Sequence, residues 1–295
     1  MNYFQYKQPE SLEEVLRLRE EFGASGRLLL GGTDLMVRIQ KGHAEPAAVI
    51  DLKRVRDIGD TADVNGSVLR VGARTVLSRL VEDPGIRERF PALIEAASQV
   101  GSVQIRNRAT LAGNICNASP AADTVPPLLV YRAVVELAGP DGRRKLPLEQ
   151  FLLGPGKTAC DPREVVTAVE IPLPEPPFGA AFARLTRRRG VDLATINMAC
   201  ALDSRGQALF AFGAAGPTAL LVREDSGRLA APDLEDREAR RLLETLTSRT
   251  SPIGDIRAGL DYRTAMLAVL ARRVLYRARR ARGLSAGPED PQAGL

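Results

Sequence analysis

Tryptophan is absent, and aromatic residues make up only 4% of the 295 positions. Few side chains are available to stack on bases, which argues against a single-stranded nucleic-acid binder. Cysteine is scarce: Cys116, Cys160 and Cys200 lie far apart, with no C-x-x-C pair. A disulfide framework and a structural zinc site are both excluded on that spacing. Histidine occurs once, as His43 on a polar Lys41-Gly42-His43 turn, so a histidine-based catalytic triad has no support. No run of 18 apolar residues is present, which leaves no candidate transmembrane helix. The N-terminal MNYFQYKQPE lacks the pattern of a signal peptide. The expected location is cytoplasmic, with reduced thiols. G-x-G-x-x-G does not occur, so there is no Rossmann fingerprint.

Apolar residues reach 44%, and the length suits two domains. Gly (26) and Pro (20) are abundant, which favours a loop-rich α/β or α+β chain over a helical bundle. The net charge is +5, and the basic residues are almost all arginine. Arginine suits planar anions such as phosphate and carboxylate, though GC-rich codon usage explains the bias equally well. No recognised nucleic-acid module carries the charge. Six arginines between 272 and 282 mark a basic C-terminal helix, which is either a partner contact or a solvated face.

Taken in order, Tyr3 to Tyr6 reads as a short edge strand. Ser11 is expected to cap a helix, with Glu14 completing a capping box. Arg27 to Leu30 and Val49 to Leu52 read as paired strands, and Val68 to Val71 as another. Thr75 caps a helix through Leu80, and Pro91 to Val100 is helical. Residues 104 to 129 read as a long loop. Val134 to Leu137 and Val165 to Ile171 are strands. The proline run at 172 to 177 is the best domain boundary, because proline at that density forbids interior strand or helix. Beyond it, Phe178 to Leu185, Thr195 to Leu202 and Ala208 to Ala214 read as a three-stranded antiparallel sheet. Glu235 to Leu246 follows as a helix with Leu242 and Leu246 inward. Asp261 is expected to cap a long helix with Met266, Val269, Leu270 and Val274 inward. The segment from Gly283 onward has a disordered composition.

Two stretches carry the chemistry. Gly31-Gly32-Thr33-Asp34 follows a strand and opens a helix, a geometry whose free backbone N–H groups suit a phosphate. QIRNRATLAGNICNASPAADTVPPLL, residues 104 to 129, combines close backbone approach at Gly113, loop-fixing amides and one carboxylate, Asp123. Each stretch alone also reads as an ordinary structured loop.

Together, LLLGGTDLMV at 28 to 37 and IRNRATLAGNICNASPAADTVPPLL at 105 to 129 resemble the FAD-binding medium subunits of molybdenum hydroxylases. This is the family of xanthine dehydrogenase and aerobic carbon monoxide dehydrogenase. VVTAVEIPLP at 165 to 174, FARLTRRRGVDLATINMA at 182 to 199 and FGAAGPTA at 212 to 219 extend the resemblance over nearly the whole chain.

The resemblance implies an α+β fold. A bowl-shaped, two-subdomain FAD domain of the vanillyl-alcohol-oxidase type would span residues 1–176, its subdomains about 1–57 and 58–176. A C-terminal domain would follow over 177–282, then a tail at 283–295. It implicates Leu30, Gly31, Gly32, Thr33, Asp34, Leu35, Met36 and Val37 around the FAD pyrophosphate. It implicates Thr110, Gly113, Asn114, Asn117 and Asp123 along the ribityl-phosphate chain. Val166 falls against the isoalloxazine and Arg184 near the flavin edge, where many relatives carry Lys. An arginine there suits negative charge on a reduced ring. Ala112, where relatives usually have Gly, is the chief departure.

Cys116 is expected as a packed thiol, and His43 as a surface residue, so FAD is expected to be noncovalent. The implied function is an oxidoreductase subunit passing electrons from [2Fe–2S] clusters through FAD to NAD⁺, a quinone or oxygen. Molybdopterin and the clusters would sit in a large and a small partner subunit, in a heterotrimer or its dimer. Two alternatives remain: a standalone NADPH-dependent reductase resembling UDP-N-acetylenolpyruvoylglucosamine reductase, and a structural subunit with a degenerate flavin site.

Overall fold

The structure, a computed structural model, describes residues 3–285. Two compact units divide the chain, and the cut is not a single one. The first unit takes residues up to Glu82, Gly101–Ala118 and Ala133–Pro172. The second takes Asp83–Val100, Ser119–Arg132 and the chain from Leu173 onward.

Among the described residues the first unit holds two larger sheets and a small two-stranded one, Leu152–Gly154 with Lys157–Thr158. A parallel three-stranded sheet places Ala48–Asp51 between Gln5–Lys7 and Gly26–Leu29. The expected pairing of the stretches at 27–30 and 49–52 is therefore present, in register Gly26 to Ala48. Helix Leu12–Phe22 supplies the crossover that parallel strands require. Ser11 caps it by accepting from the Glu14 N–H at 3.2 Å. Glu14 reaches back to the Glu10 N–H at 2.8 Å rather than to that of Ser11, so the capping box closes one residue early.

The larger antiparallel sheet of this unit runs in the order Ala62–Asn65, Val68–Gly72, Val165–Pro172, Val134–Gly139, Gly142–Pro147. Leu69, Val135, Leu137, Val169 and Ile171 are fully buried in it. Each such burial stabilises by about 1.5–3 kcal/mol. Two of its strands, Ala62–Asn65 and Gly142–Pro147, are additional to those expected. They are edge strands with mostly exposed side chains, so they lack the apolar alternation that announces a strand.

The second unit is built on a four-stranded antiparallel sheet: Gly179–Leu185, Ile196–Leu202, Ala208–Gly213 and Leu220–Glu224. The fourth strand is additional to the three expected. Ile196, Met198, Cys200 and Leu202, with Phe210 and Phe212, face a core shared with helices Asp236–Thr247 and Leu260–Ala281. Alternate positions point to the opposite face. Asn197, Ala199, Ala201, Ala211 and Gly213 lie there, small enough for helix Val125–Val130 to pack closely.

Several details differ from expectation. Gly259, not Asp261, is the cap of the long helix. Val269 is 40% exposed rather than inward; in the preceding helix Leu246 is buried as expected, while Leu243 is buried as well and Leu242 only partly so. Gly283–Ser285 fold back on the long helix, with Arg279 Nε donating to the Ser285 carbonyl at 3.0 Å. The remainder of the expected disordered tail lies outside the described residues.

Candidate functional site

The stretch read as one long loop contains three short helices: Val103–Arg106, Leu111–Cys116 and Val125–Val130. Pro126 and Pro127 lie in the first turn of the third helix. Proline is tolerated in a first turn, where its missing N–H has no intrahelical partner to lose.

In the first unit, the Gly31-Gly32 turn leaves strand Gly26–Leu29 and leads into helix Leu35–Gln40. Gly32 has φ +74°, the left-handed region that glycine occupies at little cost. Gly31 is glycine for a different reason. A Cβ there would lie 2.2 Å from the Arg108 carbonyl oxygen and 2.9 Å from Ala109 Cα. The two motifs therefore meet backbone to backbone. Asp34 precedes the helix but makes no capping bond to it. Its Oδ1 instead accepts from Asn117 Nδ2 at 3.3 Å. The leading N–H groups of that turn are thus not claimed by the cap side chain.

Thr110 caps helix Leu111–Cys116, its Oγ1 accepting from the Gly113 N–H at 3.0 Å. The hydroxyl proton remains free to be donated. Gly113 is tight against that hydroxyl, since a Cβ would sit 3.0 Å from it. Ala112 is 2% exposed, so its methyl points into the protein interior. The Leu77 N–H donates to the Ala109 carbonyl at 2.8 Å, pinning this segment from a third side. Helix Leu111–Cys116 packs on strand Val165–Pro172, which carries the buried Val166 beside a register shift between Val166 and Ala168. Leu35 and Asn114 are half-buried, and Met36 and Val37 are exposed beside the turn. Cys116 is exposed as a residue, yet burial of its thiol pushes the pKa of that group up to about 12.

In the second unit, Ser119 Oγ accepts from the Ala121 N–H at 3.3 Å and so folds the turn that delivers Asp123. Asp123 is buried, and both carboxylate oxygens are engaged. Arg184 Nη1 donates to Oδ2 at 2.6 Å, and Asn197 Nδ2 donates to Oδ1 at 2.8 Å. Burial pushes the Asp123 carboxyl above its ordinary value, against the pull of Asn197 and Arg184. The charge of Arg184 is accordingly met by Asp123 within this unit. Asn197 was not among the expected site residues. Its signal in the sequence is a lone amide inside the apolar run INMACAL.

Comparison with known proteins makes this chain a flavoprotein oxidoreductase subunit. Residues 2–174 match the family described as FAD binding domain in molybdopterin dehydrogenase. Residues 180–278 match the CO dehydrogenase flavoprotein C-terminal domain. The chain is 30% identical over 290 residues to the xanthine dehydrogenase FAD-binding subunit of Escherichia coli O157:H7, covering 96% of this chain and 98% of the relative. It is 30% identical over 276 residues to the carbon monoxide dehydrogenase medium chain of Hydrogenophaga pseudoflava, covering 92% and 96%. A solved structure of carbon monoxide dehydrogenase from Hydrogenophaga pseudoflava superposes with a TM-score of 0.86 at 29% identity, covering 95% of this chain and 98% of that one. Quinoline 2-oxidoreductase from Pseudomonas putida 86 gives 0.85 at 26% identity, covering 95% and 98%. The chain belongs to the FAD-binding medium subunits of the molybdenum hydroxylase family.

Proposed function

We propose that this chain holds one noncovalent FAD and relays electrons through it within a three-component oxidoreductase. In this reading a large subunit oxidises the substrate at molybdenum, and a small subunit carries two [2Fe–2S] clusters. FAD, when bound, would supply one-electron uptake and paired delivery to an acceptor such as NAD⁺, a quinone or oxygen. The chain's own residues bind and orient the cofactor.

The observation that carries the reading is the meeting of two distant loops at Gly31, where the Arg108 backbone leaves no room for a Cβ. The Asp34–Asn117 hydrogen bond ties the same loops together. The residues fit the cofactor: a left-handed Gly32, an uncapped helix start and the free proton of Thr110 together suit phosphate oxygens. Leu30 to Val37, with Thr110, Gly113, Asn114 and Asn117, are proposed to line the pyrophosphate and ribityl chain. Asp123 is proposed as a further contact of the ribityl chain, and Val166 and Arg184 as contacts nearer the flavin. A domain boundary near residue 176, cytoplasmic location and assembly as a heterotrimer or its dimer belong to the same proposal. So do a molybdenum-cofactor large subunit and a [2Fe–2S] small subunit as partners.

The test is recombination. The isolated chain should keep its FAD, become reduced by dithionite and oxidise no organic substrate. Acid precipitation should release all the flavin and leave a colourless pellet. Addition of molybdenum and [2Fe–2S] subunits should restore turnover. A chain that ignores such partners and turns over a small substrate with NADPH alone would overturn the proposal.

A further inference from the structure

An amide in the middle of an apolar strand calls for a reason. Every residue of Ile196–Leu202 is buried, and Asn197 has no accessible surface. Its Nδ2 donates to Asp123 Oδ1 at 2.8 Å and to the Ala121 carbonyl at 3.4 Å. Its Oδ1 is buried with no partner. Turning the amide over would set its oxygen against a carboxylate oxygen, so Asp123 decides which way it faces.

The neighbouring strand is adapted to that orientation. Gly213 pairs with Asn197 across the sheet. A Cβ on Gly213 would stand 1.9 Å from Asn197 Oδ1 and 3.1 Å from Pro126 Cγ. The strand ends on either side are also held. Arg263, 2% exposed, donates from Nη1 to the carbonyls of Thr195 at 2.8 Å and Ala214 at 3.2 Å. The Ala214 N–H donates in turn to the Pro120 carbonyl at 2.7 Å, tying the strand to the loop that carries Asp123. Ala214 adopts φ +54°, a strained conformation for a residue with a side chain. A core position, an unpartnered acceptor and a facing glycine are thus all committed to one hydrogen bond on Asp123. An apolar side chain would fill the same space without them.

We propose that Asn197 is a positioning residue: its buried amide, acting opposite Arg184, holds the Asp123 carboxylate in one orientation for contact with the flavin cofactor. The proposal rests on the reading of Asp123 given above. Arg184 takes Oδ2 and Asn197 takes Oδ1, so the carboxylate cannot rotate and its remaining lone pairs keep a fixed direction. Among the described residues Arg184 is the charged group set against it. Asn197 adds a donor without adding charge.

A double-mutant cycle tests this, with FAD titrated into full-length apoprotein of the wild type, Asn197→Leu, Asp123→Asn and the double variant. Asn197→Leu alone should weaken FAD binding about tenfold, in keeping with the loss of one charged hydrogen bond. In the Asp123→Asn background it should add less than about twofold, because its effect runs through the carboxylate. An equal loss in both backgrounds would show a packing role and overturn the proposal. A second readout is independent of flavin. With ¹³C-labelled aspartate, the titration midpoint of Asp123 should rise by about one pH unit in Asn197→Leu. An unmoved midpoint overturns the claim that Asn197 governs the carboxylate. If Asp123→Asn binds FAD as the wild type does, the flavin reading of Asp123 fails, and the titration alone then decides the positioning claim. Should Asn197→Leu not fold, Asn197→Ser is read in the same two assays, with the same outcomes decisive.

Discussion

Replacing Gly31 with alanine should open the proposed cofactor cradle. The added Cβ would lie 2.2 Å from the Arg108 carbonyl oxygen, 2.7 Å from its carbon and 2.9 Å from Ala109 Cα. All three are backbone atoms, so no side chain can swing aside. The two loops must separate by roughly 1 Å to restore ordinary contact distances. Overpacking of this kind costs about 1–3 kcal/mol. Part of the cost is relieved by parting the loops, which stretches the Asp34–Asn117 bond, already 3.3 Å long. In the proposed site FAD binds the closed loops, so the cost reappears in affinity as a loss of about 5- to 150-fold.

The assay is quenching of FAD fluorescence on titration into apoprotein, alongside a thermal melt. Gly42→Ala serves as control. Gly42 has φ +72° and open space around its Cβ position, so alanine there meets a backbone penalty without a clash. It should lower the melting temperature by a few degrees and leave FAD affinity unchanged. A Gly31→Ala protein that binds FAD as tightly as the wild type would refute the reasoning, since the loops would then tolerate separation or play no part in binding.

Asp123→Ala should weaken FAD binding roughly ten- to a hundredfold, the equivalent of a charged hydrogen bond of about 1.5–3 kcal/mol. Unchanged affinity in an apoprotein titration would count against its place near the cofactor. Glu136 offers a pH test. Burial alone would raise its carboxyl, but the Thr167 hydroxyl, Arg70 at 2.9 Å and Arg143 at 2.8 Å together hold it below the ordinary value. A depressed carboxyl contributes stability that is present above its unfolded-state pKa and lost as pH falls through the folded-state value. Glu136→Gln should therefore be less stable than the wild type at neutral pH. The gap should narrow as the medium is acidified below the usual carboxylate range, followed by urea melts at several pH values. A gap that stays constant with pH would rule out the ionic contribution.

Residues 28–37 show how far local signals reach. A strand, two glycines and an apolar helical start are written in consecutive positions, and the structure has the strand, the turn and the helix there. The same holds for the cap at Ser11 and the central strand Val165–Pro172, whose signals lie within a few residues of the feature they specify. Edge strands such as Ala62–Asn65 and Gly142–Pro147 were hidden because exposed side chains carry no hydrophobic period. The three short helices between 103 and 130 were hidden by prolines, glycines and amides that suit loops equally well.

What only the tertiary structure decided are the contacts whose partners are far apart along the chain. Asp34 and Asn117 are 83 residues apart, Asp123 and Arg184 61, and Asp123 and Asn197 74. The sequence by itself determined the family and the class of cofactor, because short motifs in a given order carry that information. It did not determine why Gly31 must be glycine, since the obstruction is the backbone of Arg108. Nor did it determine that Asn197 and Gly213 share one site. Those facts depend on where strands cross and which backbone atoms come within van der Waals distance, and no local pattern of residues encodes that path.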